Sequence, residues 1–386
     1  MTAPFTPVTP VTFTSPTAPA AYAWEATDAE VAARYGVPID QIIRFDLNTS
    51  PTPPDIATRI LAEGRFVTPL SEYPPSDYAD LVAAAAARYG VDRDELLVGA
   101  GADEILDLVG KAFLREGSSA VVATPTYAMF RVITEQRGAT AIGVPRLSPD
   151  DGWALDTAAV REAAQGSSVV WLCSPNNPTA LPEPPGSIER LLDDLASDAA
   201  TAGAPAPVVV LDEAYAEFVG TSLADLRFRF PRLVVVRTAS KAYALAGLRV
   251  GFAIARPETI AQIAPYRPPG SVSTASVTVV TEALRDDATV IDNLVRVQTE
   301  RERLTAALGD VGWAIGPSVV NFLLVDFGTT ERSATVAEGL LRRGLVPRTF
   351  GEGHPLAAYL RLTVRDASGD ERLIAAAREI EAESAR

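Results

Sequence analysis

The amino-acid sequence predicts an α/β fold, with a mostly parallel central sheet flanked by helices and a smaller α+β unit. Short β-branched runs alternate with amphipathic helical stretches, as in layered structures with right-handed crossovers. Each run is apolar throughout and stops at polar or turn residues, which is typical of strands buried on both faces of a parallel sheet. The length of 386 residues, 47% of them hydrophobic, allows two or three domains.

The predicted elements begin with a tail and two helices. Residues 1–20, rich in Pro, Thr and Ala, are predicted to be a flexible tail that lacks the basic start and apolar core of a signal peptide. Helices are predicted over residues 77–89, ending at Gly90, and over 102–115. A short strand and a turn over residues 94–101 separate them. The strand-like runs that follow lie within SAVVATPTYAMF, ATAIGVP, SSVVWLCSPNNP, APVVVLDEAYAEF, RLVVVRTASKAY and LRVGFAIA.

The sequence pattern changes near Asp286, where the C-terminal part of the smaller unit is predicted to begin. A charged helix over residues 287–308 leads to the strand-like NFLLVDF and a helix over 333–343. The strand-like YLRLTV and a C-terminal helix from Asp370 complete the chain. The predicted domains are a large one (residues 51–285) and a small one (residues 21–50 together with 286–386).

Composition excludes several classes of function. The net charge of −15 leaves no evident basic face for a nucleic acid or an anionic membrane. Cys173 and His354 are the only cysteine and the only histidine, so a disulfide within the chain, a Cys/His metal site and a triad with a His base are not expected. No apolar run reaches the ~18–20 residues that span a bilayer. We predict a cytoplasmic protein without metal, nucleic-acid or membrane partners.

Polar residues gather directly after four of the predicted strands, where ligands bind in open α/β sheets. An amine becomes a usable nucleophile when its surroundings lower its pKa, so Lys241 suits Schiff-base chemistry with a carbonyl cofactor. Arg249 would bind a phosphate with its guanidinium fork, and the hydroxyls of Thr238 and Ser240 would add donors. Backbone N–H groups at residues 101–103, where a helix is predicted to begin, would serve the same phosphate. The four clusters are residues 124–127, 174–178, 212–215 and 238–241.

A candidate partner for the ring of such a cofactor is Asp212, which ends the run APVVVLD and would face the same crevice. An aspartate that pairs with a protonated pyridine nitrogen makes pyridoxal phosphate an electron sink. Tyr127 could stack on the ring, and Asn177 and Tyr215 could hydrogen-bond its phenolic oxygen. Alternatively, Asp212 could cap a helix over EAYAEF, and the two tyrosines could be core aromatics.

Five motifs in one order give the chain a resemblance to a known family. GADEIL, PTYAMF, CSPNNPT, LDEAYAEF and TASKAYALAGLRVGF are similar to segments of fold-type I pyridoxal-phosphate aminotransferases, and specifically of the histidinol-phosphate aminotransferase family. The similarity runs from about Tyr22 to the C-terminus. It implies a fold-type I transferase fold, pyridoxal 5'-phosphate as cofactor, and a homodimer that acts on a small amino donor and a 2-oxo acid.

The resemblance implies a role for each matching residue. Lys241 would hold the cofactor covalently and relay the proton, Asp212 would pair with the ring nitrogen, and Tyr127 would stack on the ring. Tyr73, in EYPPSDY, matches a tyrosine that reaches the phosphate of the neighbouring subunit, so each active site would be shared. The implied phosphate ligands are Thr238, Ser240, Arg249 and the backbone at Ala102 and Asp103, and the implied ligands of the phenolic oxygen are Asn177 and Tyr215.

The resemblance also implies that two arginines near the C-terminus recognise the substrate. Arg348 (VPRTF) and Arg361 (YLRLTV) match family positions that hold the anionic end of the substrate. A dianionic phosphate can use both guanidinium forks, whereas an amino-acid carboxylate needs chiefly one. Asn177, Tyr22 and Asn48 are expected to line the same pocket.

Several departures from the family pattern affect the expected substrate pocket. The usual NENP is NTSP here (residues 48–51), and the glycine after NNPT is Ala180, followed by the insertion LPEPPG. The glycine that usually follows RITV is Arg365. Near Tyr266 the chain reads APYRPPGSVSTAS, with extra residues where substrate side chains are expected. The matched cofactor ligands are all retained.

The resulting hypotheses differ mainly in substrate. The first is a histidinol-phosphate aminotransferase of histidine biosynthesis. The alternatives are an aromatic or other amino-acid aminotransferase, or a decarboxylase of a phosphorylated amino acid. A non-catalytic binding protein on this fold is disfavoured because Lys241 and Asp212 are both present. A nucleotide-binding Rossmann enzyme is disfavoured because Glu104 occupies the place of the third glycine of G-x-G-x-x-G.

Overall fold

The computed structural model describes residues 21–384, so the predicted tail, residues 1–20, lies outside the described residues. Helices and strands alternate along most of this range. The helices are α1 Asp28–Tyr35, α2 Asp55–Glu63, α3 Ala79–Tyr89, α4 Ala102–Phe113, α5 Met129–Gln136, α6 Thr157–Ala163, α7 Ser187–Ala202, α8 Ala216–Val219, α9 Pro257–Ile263, α10 Thr274–Arg285, α11 Asp287–Asp310, α12 Thr330–Leu341 and α13 Ala367–Ser384. The strands are β1 Ile43–Arg44, β2 Leu96–Gly99, β3 Ser119–Thr124, β4 Thr140–Pro145, β5 Val169–Cys173, β6 Val208–Asp212, β7 Leu233–Thr238, β8 Gly251–Ile254, β9 Ala314–Ile315, β10 Phe322–Asp326, β11 Leu345–Val346 and β12 Tyr359–Thr363.

A seven-stranded sheet forms the centre of the molecule, with strand order β2-β8-β7-β6-β5-β3-β4. Strand β8 runs antiparallel to both of its neighbours, and the remaining pairs are parallel. The predicted α/β fold with a mostly parallel sheet is confirmed. In the register, Asp212 pairs with Val236 and Thr238 pairs with Gly251, so neighbouring strands bring their ends to one edge of the sheet.

Helices cover both faces of this sheet, because successive residues of each buried strand point to opposite sides. Val209 and Val235 pack in one apolar layer, which includes Leu81 of α3. Val210 packs in the other layer, with Ile105 of α4. This two-sided burial explains why the strands are apolar throughout.

A third apolar cluster joins residues from the N-terminal and C-terminal parts of the described chain. Phe45 packs there with Leu304, Leu345 and Leu373. The short strands β1 and β11 pair in parallel, and β12, β10 and β9 form an antiparallel sheet. This packing supports the division that we propose, with a large domain of residues 51–285 and a small domain formed by residues 21–50 and 286–386.

Helix ends depart from the predicted bounds where side-chain caps were overlooked. Helix α12 begins at Thr330, three residues before the predicted start, because Thr329 accepts the N–H of Arg332 and caps it. Helix α3 ends at Gly90 as predicted, where φ is 66° and a left-handed conformation stops the helix. No helix within residues 21–384 is long and apolar enough to cross a membrane.

Candidate active site

A cavity of about 620 Å³ opens at the carboxyl ends of β6 and β7, where the small unit meets the central sheet. The position is the one at which α/β sheets bind ligands. It brings together residues from widely separated parts of the chain. The predicted site residues that line it are Tyr22, Asn48, Ala102, Asp103, Tyr127, Asn177, Asp212, Tyr215, Thr238, Ser240, Lys241, Arg249 and Arg361.

Lys241 lies three residues beyond the end of β7, with its amine at the cavity wall. Its Nζ donates to the backbone oxygen of Asn48 at 3.1 Å and lies 3.4 Å from that of Leu47. Burial, and then the positive charge of Arg361, lower the pKa of Lys241 to about 8, although nearby carboxylates oppose the change. A useful fraction of the amine is therefore neutral, and nucleophilic, near neutral pH.

Asp212 ends strand β6 and is 4% exposed. One carboxylate oxygen accepts the N–H of Ala214 at 2.9 Å, whereas helix α8 begins only at Ala216, so Asp212 does not cap that helix. Burial raises the pKa of Asp212 to about 7, against the effect of the Ala214 hydrogen bond. A cationic group in the cavity would stabilise the ionised form of this carboxylate.

A cradle of hydrogen-bond donors lies at the start of helix α4. Arg249 donates to the carboxylate of Asp103 at 3.1 Å and lies 3.5 Å from the hydroxyl of Ser240. The N–H of Ser240 donates to the Thr238 hydroxyl at 3.1 Å, which fixes the turn after β7. Since the first N–H groups of a helix lack partners within it, the N-terminus at Ala102 adds donors to the same place.

Two glycines allow this cradle to form. A Cβ on Gly251 would overlap the backbone of Gly101 and Ala102, so strand β8 can approach the helix start only with glycine at this position. A Cβ on Gly101 would overlap the guanidinium of Arg249, and Gly101 also has a φ of 86°. Arg249 itself has a φ of 49°, which turns its side chain back toward the helix.

Two tyrosines line the cavity, each with a different hydrogen-bond partner. Tyr127 donates its hydroxyl to Asp103 at 2.7 Å, and Tyr215 accepts the side-chain N–H of Asn48 at 3.0 Å. Burial raises the pKa of both phenols well above the usual value, so both are neutral hydrogen-bonding groups.

Arg361 forms the other end of the cavity and is 6% exposed. It donates to the side-chain oxygen of Asn177 at 2.6 Å and to the backbone oxygen of Asp46. Its Nε is buried without a hydrogen-bond partner, and burial lowers the pKa of this guanidinium. The charge has no direct carboxylate partner among the described residues, so this end of the cavity favours an anion.

Two predicted site residues are not brought to the cavity. Arg348 donates to the backbone oxygen of Ala23 at 2.7 Å and lies 3.5 Å from the carboxylate of Glu25. Tyr73 is 86% exposed and lies beside Gly270, so the structure of one chain does not test its expected reach into a neighbouring subunit.

Some lining residues were missed by the sequence reasoning. Trp24 and Met129 contribute large side chains to the cavity. Trp24 contacts Tyr22 edge to face, with ring centroids 4.8 Å apart, and the short spacing of these two aromatics after a tail without aromatic pairs was an available signal. The others are Asp46, Leu47, Thr49, Ala214 and Ala246.

The departures from the family pattern have different structural outcomes. Ala180 has a φ of 68°, a conformation that favours glycine and is costly for alanine. Arg365 donates to the backbone oxygen of Thr49 at 3.0 Å and so supports the NTSP segment from behind. Residues 266–276 are not among the described residues that line the cavity of one chain.

Comparison with solved structures defines the class of protein. Histidinol-phosphate aminotransferase from Sinorhizobium meliloti in complex with pyridoxal-5'-phosphate superposes with a TM-score of 0.82, covering 93% of this chain and 95% of that one at 23% identity. The protein therefore has the fold-type I aminotransferase fold, as predicted from the five motifs.

The family follows from the sequence comparisons. Residues 44–379 match the model of aminotransferase class I and II, and the chain belongs to this family. It is 35% identical to a histidinol-phosphate aminotransferase of Roseiflexus castenholzii, over 83% of this chain and 85% of the relative. It is 36% identical to one of Thermococcus gammatolerans, over 83% of this chain and 87% of the relative.

Proposed function

We propose that the protein is a pyridoxal-phosphate-dependent aminotransferase that converts L-histidinol phosphate and 2-oxoglutarate into imidazole acetol phosphate and L-glutamate, in histidine biosynthesis. The observation that carries the proposal is one cavity with an amine at Lys241, a buried carboxylate at Asp212 and, at Arg361, a guanidinium without a carboxylate partner in the described part of the chain. The shared name of the two relatives supports the choice of substrate.

The residues present fit the proposed cofactor. The cradle formed by the α4 N-terminus, Ser240 and Arg249 suits a phosphate, because it combines backbone donors, a hydroxyl and a cation. Burial gives Asp212 a raised pKa that the nearby charge of Lys241 only partly offsets, and a protonated ring nitrogen would supply a further cation. When bound, pyridoxal phosphate supplies a carbonyl that takes up the amino group and a ring that withdraws electrons from the α-carbon.

The remaining chemistry falls to the side chains around the cofactor position. The amine of Lys241, with its lowered pKa, would attach the cofactor and then move a proton to and from the α-carbon of the substrate. Tyr215 and Asn177 would donate hydrogen bonds to the ring substituents, and Tyr127 would lie against the ring face. Arg361 would hold the anionic end of the substrate and fix its orientation.

We also propose a cytoplasmic homodimer with shared active sites. The exposure of Tyr73 supports this, because an aromatic side chain that is 86% exposed in one chain is available to a partner. The proposed partners are otherwise small molecules, since the net charge of −15 disfavours nucleic acid.

The experiment that tests the function follows the first half-reaction with single amino donors. Purified, cofactor-loaded protein is mixed with L-histidinol phosphate, L-glutamate and aromatic amino acids in turn, and the absorbance of the bound cofactor is recorded. We expect histidinol phosphate and glutamate to give the fastest changes. Faster conversion of aromatic amino acids than of histidinol phosphate would overturn the substrate assignment.

One observation favours a second candidate, an aminotransferase for aromatic or other amino acids. Arg361 faces the cavity, whereas Arg348 is engaged by Ala23 and Glu25. A carboxylate needs chiefly one guanidinium fork, which Arg361 supplies. The same donor panel separates the two candidates.

A further inference from the structure

Arg348 and Arg361 lie directly opposite each other in an antiparallel bridge. The N–H of each donates to the backbone oxygen of the other at 3.0 Å. Residues opposite each other in such a pair point their side chains to the same side, and like charges there are destabilising. After burial, the charge of Arg348 is among the causes that lower the pKa of Arg361. The pair therefore places two positive charges close together, with Arg361 lining the cavity and Arg348 beside the residues that line it.

Glu25 neutralises one member of this pair. Its carboxylate accepts the backbone N–H of Thr349 at 2.8 Å and the Thr349 hydroxyl at 2.9 Å, and lies 3.5 Å from the guanidinium of Arg348. The side chains of Glu25 and Arg348 are each 16% exposed. Arg348 also lies over the ring of Tyr22, with 5.2 Å to the centroid, so residues 22–25 cover the guanidinium.

We infer that Glu25 determines substrate specificity. Its carboxylate pairs with Arg348 in the free enzyme, and only a substrate group with two negative charges displaces it from this arginine. The inference rests on the proposed function, because it concerns how the same cavity receives a phosphate. A dianion gains from both guanidinium groups, and that gain offsets the loss of the ion pair with Glu25. A carboxylate is satisfied by Arg361 alone and leaves the Glu25–Arg348 pair intact.

The test measures anion binding to the cofactor-loaded protein, in which the cradle for the cofactor phosphate is filled. Inorganic phosphate and acetate are titrated separately by calorimetry, at a pH where phosphate is mostly dianionic. The variants are Glu25→Gln, which removes the charge and keeps the shape, and Glu352→Gln, a matched change at an exposed residue of a nearby loop. Arg348→Ala is combined with Glu25→Gln to complete the cycle.

We expect Glu25→Gln to bind phosphate about threefold to tenfold more tightly than the wild type, in line with loss of a partly exposed competing ion pair. Acetate binding should change little, and Glu352→Gln should affect neither anion. With Arg348→Ala in place, Glu25→Gln should no longer tighten phosphate binding. In turnover, Glu25→Gln should lower the KM of a phosphorylated donor at similar kcat.

Unchanged or weaker phosphate binding by Glu25→Gln would overturn the inference, as would a gain that persists with Arg348→Ala. A merely structural role of Glu25 predicts that phosphate and acetate both bind more weakly. Failure of the proposed function has a different signature, because the titrations involve no amino donor. Tighter phosphate binding by Glu25→Gln in a protein that leaves histidinol phosphate unconverted would reject that substrate and retain the role of Glu25.

Discussion

The two ends of the cavity are built in different ways. At the proposed cofactor end, Asp212 and Thr238 end neighbouring strands of one sheet and Arg249 lies between β7 and β8, so strand pairing sets their positions. At the proposed substrate end, Asn177 and Arg361 come from segments far apart in the chain and are hydrogen-bonded to each other. The first arrangement depends on strand pairing in the sheet. The second depends on how the two proposed domains and residues 22–25 pack together. Mutations at the two ends should therefore affect different measured quantities.

The largest effect should come from the cofactor end, with Lys241→Ala. We expect kcat to fall by about 10³-fold or more, because the amine that moves the proton is lost. Cofactor binding should persist without the covalent link, since Asp212 and the cradle at Arg249 remain. Half-reaction absorbance and a cofactor titration measure the two quantities.

Lys111→Ala is the matched control, because Lys111 and Lys241 are the only two lysines of the chain. Lys111 lies on α4 and pairs with Asp107 at 2.8 Å, away from the cavity. Borohydride reduction followed by peptide mass analysis should place the cofactor on residue 241. A label on residue 111 would contradict the assignment of the cofactor end.

At the substrate end, Arg361→Ala should lower kcat/KM by about 10-fold to 100-fold, the effect of losing a hydrogen bond between buried charged groups. The affinity for the cofactor should change much less. Steady-state kinetics and a cofactor titration test this separation, with thermal unfolding as a check on the fold. An equal loss of cofactor affinity would show that the two ends are not independent.

Arg249→Ala should lower the affinity for the cofactor and leave kcat nearly unchanged, and its effect should be smaller than that of Arg361→Ala. Its side chain is 47% exposed, so we expect the dissociation constant of the cofactor to rise only about tenfold. At saturating cofactor, kcat should stay close to that of the wild type. Arg131→Ala, on an exposed part of α5, serves as the control. A large fall in kcat at saturating cofactor would assign Arg249 to the chemistry instead.

The smallest effect links the two ends through pH. The pKa of Lys241 is lowered to about 8, first by burial and then by Arg361. Only the neutral amine reacts, so cofactor attachment should accelerate about tenfold per pH unit below this value and level off above it. Arg361→Ala should move the midpoint upward, because it removes a positive charge. A downward or absent shift in rapid-mixing measurements would refute this coupling.

The grouping of Asp212 and Lys241 at one edge of the sheet could be predicted from the sequence because these residues end or follow apolar strands. Continuous β-branched runs located Asp212 and Lys241 at strand ends, and parallel strands bring such ends to one edge of a sheet. The pairing of Arg348 with Glu25 could not be predicted in this way. It depends on how residues 22–25 pack against Arg348 and Thr349, and no periodic pattern in the sequence indicates this packing. The place of Trp24 in the cavity has the same cause.

The amine of Lys241 contacts the backbone oxygens of Leu47 and Asn48, so attachment of the cofactor to this amine should change these contacts. An amine that is covalently attached to a cofactor carries fewer N–H groups. These two carbonyls should therefore lose a hydrogen-bond donor when the cofactor is attached. Asn48 has a φ of 53° and keeps its other hydrogen bonds, including those from its N–H to Thr363 at 2.9 Å and from the side chain of Asn321 to its backbone oxygen at 3.0 Å. The segment of residues 47–49 should therefore become more mobile when the cofactor is attached. The rate of proteolytic cleavage or amide exchange in this segment would then report the fraction of the protein that carries the cofactor.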